Sequence, residues 1–517
     1  MSKLVSILVI VVMGILFYGI TLRGVVGNYT TITQLKSLEG TSQSFESSHE
    51  RASYAEMLML RKSNTVELSD ELRDFGAPDI GVVDGKYYSY FPPGMSLLIR
   101  PFFEMGFPYN LSLLASFSVI PLMGIATMIL IYLIGKDVFS LSSSLSMVAV
   151  VIFAFATTSW NYIITLYQHI PAAFFAMLMF YGVSRYRARG KFGALWATIV
   201  WFTYGISIMF DYPNGVLLAP FIVYYLLSTF ESLREEHHMK FKVNPSHLLV
   251  ALWFFIAVAI HLVFNLMYMN SPFAIRQFYD RYDPGYEKQL IQKQAKQRLD
   301  TVTSENVPPP IEERTKLPFV EEFFVNGLYT LLLAPDKGIF YFSPVLLFAL
   351  WGLYYALRHE QRLEHAILTA FIAINIFLYA SFPDPYGGWA FGPRYLIPCI
   401  TALALYCAFG LKHLRFQFVK VAFYVLFLAS LSISAAGALT TNKVPPQIEA
   451  QFLKLSYYNY ALNFHLLDTQ KTGSFLYNTY LIKYMKLSDL YVLIVISLGL
   501  FMYLLLFVTP LLFKRKK

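Results

Sequence analysis

The feature that most constrains this chain is a series of long apolar runs separated by polar segments. The hydrocarbon core of a bilayer takes about 20 apolar residues in helical form. A chain with so many such runs must satisfy its backbone inside helices, so we predict an all-α polytopic membrane protein with about twelve transmembrane helices. The predicted spans are 4–22, 110–135, 142–160, 170–184, 193–210, 214–230, 246–267, 336–357, 365–382, 394–411, 418–440 and 489–512.

Composition supports this class and excludes others. Of the 517 residues, 56% are hydrophobic and 14% are charged, more apolar surface than a soluble protein can bury. The net charge of +9 does not indicate a nucleic-acid partner, because the charged residues lie between apolar runs and do not form one basic face. The two cysteines, Cys399 and Cys407, fall in one apolar run and form no disulfide framework.

Lysine and arginine in the short loops predict the orientation of the chain, since these residues favour the cytoplasmic side. They recur in alternate loops, whereas the opposite short loops contain one basic residue, Arg394. We therefore expect both termini on the cytoplasmic side of the cell membrane, plasma or inner. Three long segments then lie on the extracytoplasmic face: 23–109, 268–335 and 441–488.

The first outer segment contains the motif DGKYYSYFPPG at 84–94. Its two prolines restrict the backbone and favour an extended residue before them, which predicts a rigid turn. Apolar residues at helical spacing before and after it indicate short helices lying in the membrane interface. We expect this cradle to place Asp84, Lys86 and Tyr88 beside a substrate; an ordinary Asp-Gly turn is the alternative for Asp84.

The same segment resembles the GT-C glycosyltransferases, in the branch of the protein O-mannosyltransferases and aminoarabinose transferases. The resemblance is carried by an acidic residue, the Tyr-Ala pair at 54–55, the aromatic-Pro-Pro turn and the apolar helix that follows. Glu50 stands at the family's catalytic aspartate; Arg51 and Ser53 replace the glutamate and arginine of the motif, and Phe91 stands where lysine is common. The resemblance implies that Glu50 takes the proton of an acceptor hydroxyl, a poor nucleophile at neutral pH. A solvated loop carboxylate is the alternative.

Two further polar residues lie at predicted outer ends of spans. His169 precedes Ile-Pro and an apolar run, and Asp211 follows the fifth span. Ionisable residues at such depth are candidate site residues, and we expect both to line the substrate site. The alternatives are an interfacial position for His169 and a helix end exposed to headgroups for Asp211.

The motifs LAPDKGIFYFSP and DPYGGWAFGPRYL resemble elements of the same family. They contribute Lys337, Trp389 and Arg394 as candidate substrate-binding residues. Glycine lets the backbone approach a ligand, and a guanidinium can bind a lipid phosphate and stabilise it as a leaving group. The resemblance implies that Arg394, with Lys337 or Lys86, holds the phosphate. Extension of Arg394 towards headgroups is the alternative.

As a whole, the resemblance implies an inverting transfer of a sugar from a polyprenyl-phosphate donor to a hydroxyl of a protein, lipid or polysaccharide acceptor. The alternative is a non-enzymatic flippase or transporter of a lipid-linked saccharide. Transporters place ionisable groups near the bilayer midplane, whereas the spans here are almost free of charge in their interiors. The departures from the family motif also leave a catalytically inactive scaffold open. No metal-ligand set is predicted, and a divalent metal cofactor is left open.

The expected organisation has three parts. Residues 1–440 form the GT-C-like catalytic region, including the outer segments 23–109 and 268–335. Residues 441–488 form an aromatic-rich outer loop, and residues 489–517 form the last transmembrane helix and a basic cytoplasmic tail.

Overall fold

The computed structural model describes residues 2–509 apart from 40–43, 189–191, 230, 236–237, 243–248, 283–320, 361 and 415. Helices predominate within this part of the chain, and strands are few and short. The predicted all-α membrane class is confirmed.

Seven helices of the described part are long and apolar enough to cross a membrane. They are Lys3–Thr21, Ser112–Val138, Leu252–Met269, Leu363–Ala380, Arg394–Lys412, Gln417–Leu439 and Leu487–Val508. The other five predicted spans contain helices that are shorter, interrupted or less apolar: Ser143–Phe155 with Ser159–Ile163, His169–Arg187, Gly193–Ile208, Asn214–Leu217 with Ala219–Thr229, and Ile339–Phe342 with Leu347–Tyr355. Proline contributes to the interruptions, since Pro344 separates the last two segments and Pro220 lies at the break in the fourth.

The three long segments predicted to lie on the extracytoplasmic face carry the shorter helices. These are Ile32–Glu39, Ser48–Lys62, Asp70–Gly76, Gly94–Gly106, Glu321–Leu332, Gln447–Phe452, Ala461–Asp468 and Phe475–Thr479. Single turns of 3-10 helix lie at Phe107–Tyr109, Arg276–Phe278, Pro344–Leu346, Arg394–Leu396 and Leu481–Lys483. The ends of three spans widen into π-helix at Ile134–Val138, Ala356–Glu360 and Leu504–Val508.

The helix Ile397–Lys412 lies at the centre of the bundle, and every residue from Ile397 to Leu411 is buried. Its close neighbour is Leu347–Tyr355, where Gly352 lies directly against the carbonyl of Tyr406. Only glycine allows backbones this close. The N-terminal end of this central helix follows Arg394, so the bundle fixes the position of that residue.

The first part of the motif DGKYYSYFPPG forms the turn and the second strand of a β-hairpin. Strands Ile80–Val83 and Lys86–Ser89 pair antiparallel, and Asp280–Arg281 adds a third strand beside the first. Asp84 and Gly85 have φ angles of 50° and 73°, the left-handed pair that a two-residue hairpin turn requires. A second hairpin pairs Glu231–Glu235 with His238–Lys242.

The predicted outer loop 268–335 is described only in part, and residues 283–320 lie outside the described residues. The segment after this gap holds the helix Glu321–Leu332, which the sequence pattern does not predict. The loop 441–488 returns to the first helix, where Phe475 N donates to Leu22 O at 2.9 Å. The basic tail 514–517 lies outside the described residues, and the three-part organisation stays a prediction.

Candidate functional site

Glu50 belongs to the N-terminal turn of helix Ser48–Lys62. The Ser47 hydroxyl accepts from Glu50 N at 3.2 Å, and Glu50 Oε2 accepts from Ser47 N at 2.9 Å. This reciprocal pair is a capping box, which the sequence Ser-x-x-Glu favours. The side chain is fully buried. Glu50 therefore has a structural role whatever else it does.

The Glu50 carboxylate also joins two distant segments. Oε2 accepts a second bond from Glu46 N at 2.6 Å, and Oε1 accepts from Leu166 N at 2.8 Å. These three bonds occupy three of the four lone-pair positions of a carboxylate and leave one on Oε1. Burial and the nearby Glu46 charge raise the Glu50 pKa to about 7, although the three N–H donors oppose the shift. The group can therefore exchange a proton near neutral pH.

His49, the residue before Glu50, lies in a group of aromatic rings. Its ring centre is 4.0 Å from that of Phe91, edge to face, and 5.6 Å from that of Tyr167, stacked at 15°. Burial, followed by the charge of Arg394, lowers the His49 pKa to about 3. His49 is therefore neutral at physiological pH.

Arg394 contacts the same ring cluster. Its Cζ atom lies 5.2 Å from the ring centre of Tyr167 and 5.3 Å from that of Tyr395. Gly387, with φ of 66°, lies so close that a Cβ there would be 2.9 Å from Arg394 Nε. Among the described residues, Arg394 has no carboxylate within 4.0 Å of its guanidinium nitrogens. A guanidinium that packs on aromatic rings and has no carboxylate partner can bind an anion.

Asp211 and His169 complete this side of the cluster. Asp211 is 4% exposed, and burial raises its pKa to about 7, opposed by a hydrogen bond from Gln168 and by the Arg394 charge. The His169 ring lies 5.7 Å from Tyr395, edge to face, and 6.1 Å from Tyr167, stacked. His169 Nε2 is buried without a hydrogen-bond partner among the described residues. Together, His49, Glu50, Tyr167, His169, Asp211, Arg394 and Tyr395 form what we call the polar chamber.

Lys337 supports the loop that carries Arg394. Its ammonium donates to Gly388 O at 3.1 Å, Ala390 O at 2.5 Å and Val444 O at 3.1 Å. The side chain is fully buried. Because an ammonium has three N–H donors, these carbonyls use its full capacity. The predicted contact of Lys337 with a phosphate stays a prediction, and the observed contacts hold the 388–390 backbone.

Four predicted site residues lie away from the polar chamber. Asp84 and Lys86 are exposed at the hairpin turn, and Lys86 pairs with Glu67 at 2.9 Å. Tyr88 is 5% exposed in a separate apolar cluster with Leu60.

Trp389 is 41% exposed, and its indole donates to Glu449 at 2.5 Å. The structure thus brings together Glu50, His169, Asp211 and Arg394, with Lys337 behind them, and it separates the other four.

The sequence motifs do not single out several chamber residues. His49, Tyr167 and Tyr395 are missed, although each adjoins or lies close to a predicted residue in the sequence. The buried pair of Arg23 and Glu46, with Nε and Oε2 at 3.5 Å, is also missed. Its only sequence signal is charge beside apolar segments, which does not reveal a partner.

No group of three or more His, Cys, Asp or Glu side chains that could hold a metal ion occurs in the described part of the chain. The polar chamber contains two carboxylates and two imidazoles, but they are not grouped as a ligand set.

Comparison with known proteins supports the predicted resemblance. A sequence profile of the family described as dolichyl-phosphate-mannose-protein mannosyltransferase matches residues 91–264. This match confirms the predicted resemblance to membrane glycosyltransferases over that part of the chain. No curated protein sequence matches the chain.

Solved structures with a similar course of the chain include ArnT from Cupriavidus metallidurans in the apo state. It has 13% identity and a TM-score of 0.46, over 96% of this chain and 76% of that one. ArnT bound to undecaprenyl phosphate has 11% identity and a TM-score of 0.47 over the same shares. The archaeal oligosaccharyltransferase AglB from Archaeoglobus fulgidus, in complex with an inhibitory peptide and a dolichol-phosphate, has 13% identity and a TM-score of 0.43. That match covers 86% of this chain and 56% of AglB.

Proposed function

We propose that the chain transfers a sugar from a polyprenyl-phosphate donor to an acceptor hydroxyl at the extracytoplasmic face of the cell membrane. The observation that carries this proposal is the position of Arg394, a cation without a carboxylate partner in the described part of the chain, on two aromatic rings at the end of a buried helix. The phosphate-linked donor in the name of the matching family supports the same donor class.

The proposed reaction is a single displacement that inverts the anomeric configuration. The acceptor oxygen bonds to the anomeric carbon while the bond from that carbon to the phosphate oxygen breaks, and the electron pair leaves with the phosphate. Arg394 stabilises the charge on the leaving phosphate. The acceptor proton passes to Glu50 Oε1, which keeps one unoccupied lone-pair position.

Asp211 and His169 are proposed to bind hydroxyl groups of the sugar. Both are buried and lie on the Arg394 side of the polar chamber. Lys337 acts indirectly, because it holds the carbonyls on either side of Trp389 and so fixes the backbone before Arg394. Asp84, Lys86, Tyr88 and Trp389 have no role in this proposal.

The extracytoplasmic location rests on the distribution of charge. Lysine and arginine recur in alternate short loops, which supports a cytoplasmic position of both termini. The residues of the polar chamber belong to segments that this orientation puts on the other side: the first long segment, the short loops around 161–169 and 211–213, and the segment 383–394 with the residue after it. The acceptor, whether protein, lipid or polysaccharide, is open to direct assay.

The test uses purified protein in lipid vesicles with radiolabelled polyprenyl-phosphate sugars and a mixture of acceptors. We expect the wild-type protein to break the sugar–phosphate bond of at least one donor and Arg394→Ala to lose at least tenfold in kcat/KM. Movement of the intact labelled lipid across the bilayer without cleavage would identify a flippase. No turnover with any donor would overturn the enzyme proposal.

Glu50→Gln needs a folding control, because it also removes acceptors from the capping box. Thermal unfolding and donor binding are therefore measured beside transfer. A folded, donor-binding Glu50→Gln protein without transfer supports the base assignment. Transfer at the wild-type rate by this variant would show that another group takes the proton.

A further inference from the structure

The imidazole of His49 is buried with little hydrogen bonding. Its side chain is 2% exposed, and neither Nδ1 nor Nε2 has a partner of good hydrogen-bond geometry among the described residues. The Leu166 backbone interacts with the ring and opposes the lowering of the His49 pKa. A neutral imidazole has one N–H donor and one acceptor, and leaving such groups unpaired in an apolar site costs about 1–3 kcal/mol each. Buried polar groups with spare capacity in a chamber indicate a ligand or water that completes them.

The orientation of the ring is fixed by its neighbours. Phe91 meets it edge to face at 4.0 Å, and Tyr167 stacks on it at 5.6 Å. The backbone of Phe91 is held in place, because its carbonyl accepts from Arg276 Nη1 at 3.2 Å, and Arg276 pairs with Glu56 at 2.8 Å. This buried ion pair therefore positions Phe91, whose ring packs on His49.

The charges around His49 favour an anion. The Arg394 charge disfavours the imidazolium form of His49, and both side chains contact the Tyr167 ring. With His49 neutral, the ring can donate an N–H without adding a second positive charge. A guanidinium and a neutral N–H donor that contact the same tyrosine ring suit a phosphate monoester or diester, whose oxygens accept several hydrogen bonds.

We propose that His49 donates its ring N–H to a phosphate oxygen of the lipid-linked donor beside Arg394, and that Phe91 holds the ring in that position. This inference rests on the proposed function and adds a binding residue to it.

Direct binding tests the proposal independently of catalysis. Purified protein in detergent is titrated with undecaprenyl phosphate, and a parallel titration uses inorganic phosphate to separate lipid from free anion. The variants are His49→Leu, which keeps a similar volume without an N–H, and His49→Gln, which keeps an N–H donor. His261→Leu is the matched control, because His261 is another buried histidine, 8% exposed, outside the polar chamber.

We expect His49→Leu to weaken undecaprenyl phosphate binding about tenfold, the value of one hydrogen bond to a charged group. His49→Gln should retain most of the affinity, and His261→Leu should match the wild type. The ratio of the wild-type to His49→Leu dissociation constants should stay constant from pH 5.5 to 8, because the donor is a neutral imidazole.

The outcomes separate the two proposals. Absence of lipid-phosphate binding by the wild-type protein, or equal binding of inorganic phosphate, would overturn both the donor class and the role of His49. Binding by the wild type and His49→Leu with equal affinity would overturn the role of His49 alone and leave the proposed transfer standing. Should His49→Leu unfold, His49→Gln decides: wild-type affinity supports the proposal, and loss in a folded protein overturns it.

Discussion

The assignment of Glu50 as the base makes transfer depend on pH in a range where an ordinary glutamate would not. Burial and the Glu46 charge raise the Glu50 pKa from 4.5 to about 7. The ionised fraction of such a group rises from about 10% at pH 6 to about 90% at pH 8. Since only the carboxylate accepts a proton, kcat/KM should rise about ninefold across that interval.

The assay is transfer from a radiolabelled donor in vesicles at subsaturating donor, from pH 5.5 to 8.5, with unfolding followed at each pH. Glu46→Gln removes the charge that helps to raise the Glu50 pKa, so the rise should move to lower pH. Asp211→Asn is the control, because the pKa of Asp211 is also about 7; the rise should persist in this variant. A flat profile between pH 6 and 8 would refute the reasoning, as would an unchanged midpoint in Glu46→Gln.

The same shift affects stability with a defined sign. A carboxyl group whose pKa is higher in the folded state than in the unfolded state stabilises the fold in its protonated form. For Glu50, this contribution is complete below pH 4.5 and is lost as pH rises through about 7. The full difference corresponds to about 3 kcal/mol. Activity and this part of the stability therefore change in opposite directions with pH.

Three further substitutions separate binding from structural roles. Arg394→Lys should lower kcat/KM about 10- to 100-fold with little change in unfolding temperature, because an ammonium lacks the planar fork of guanidinium. Lys337→Met should lower the unfolding temperature more than Arg394→Lys does, since it removes the ammonium donor from Gly388 O and Ala390 O and leaves Val444 O with only its bond from Ala390 N. Gly473→Ala should cost about 1–3 kcal/mol in thermal unfolding, because its Cβ would lie 2.9 Å from Nη1 of the buried Arg23; wild-type stability in that variant would contradict the packing.

Helices are predictable here because apolar periodicity and length depend on local sequence. The sequence predicts a helix in each of the twelve spans, and the structure has one in each. It does not predict where the spans are interrupted, as at the segment between Phe155 and Ser159. Those breaks depend on buried contacts such as the bond from Asn161 to Ser434 O at 3.2 Å, which join residues far apart in the chain.

The sequence predicts residues of the candidate site only where those residues belong to a recognisable motif. Glu50 and Arg394 come from family motifs, and the Ser47-x-x-Glu50 pattern predicts the cap as well. Asp84 and Lys86 illustrate the opposite case. A Gly after Asp is equally typical of a hairpin turn, and the structure has that turn. His49 is recognised as a site residue only from its contacts with the Phe91 and Tyr167 rings in the folded chain, which sequence spacing does not predict.

The hydrogen-bond capacity of the buried groups distinguishes framework from site. Lys337 donates all three of its N–H groups to backbone carbonyls. Glu50 accepts hydrogen bonds from backbone N–H groups at three of its four lone-pair positions. These contacts satisfy the charges before any substrate arrives, as burial demands. The ring nitrogens of His49 and Nε of Arg394 have no partner of good hydrogen-bond geometry among the described residues. Substrate phosphate is therefore expected on the His49–Arg394 side of the polar chamber, with the remaining Glu50 lone pair directed to the acceptor.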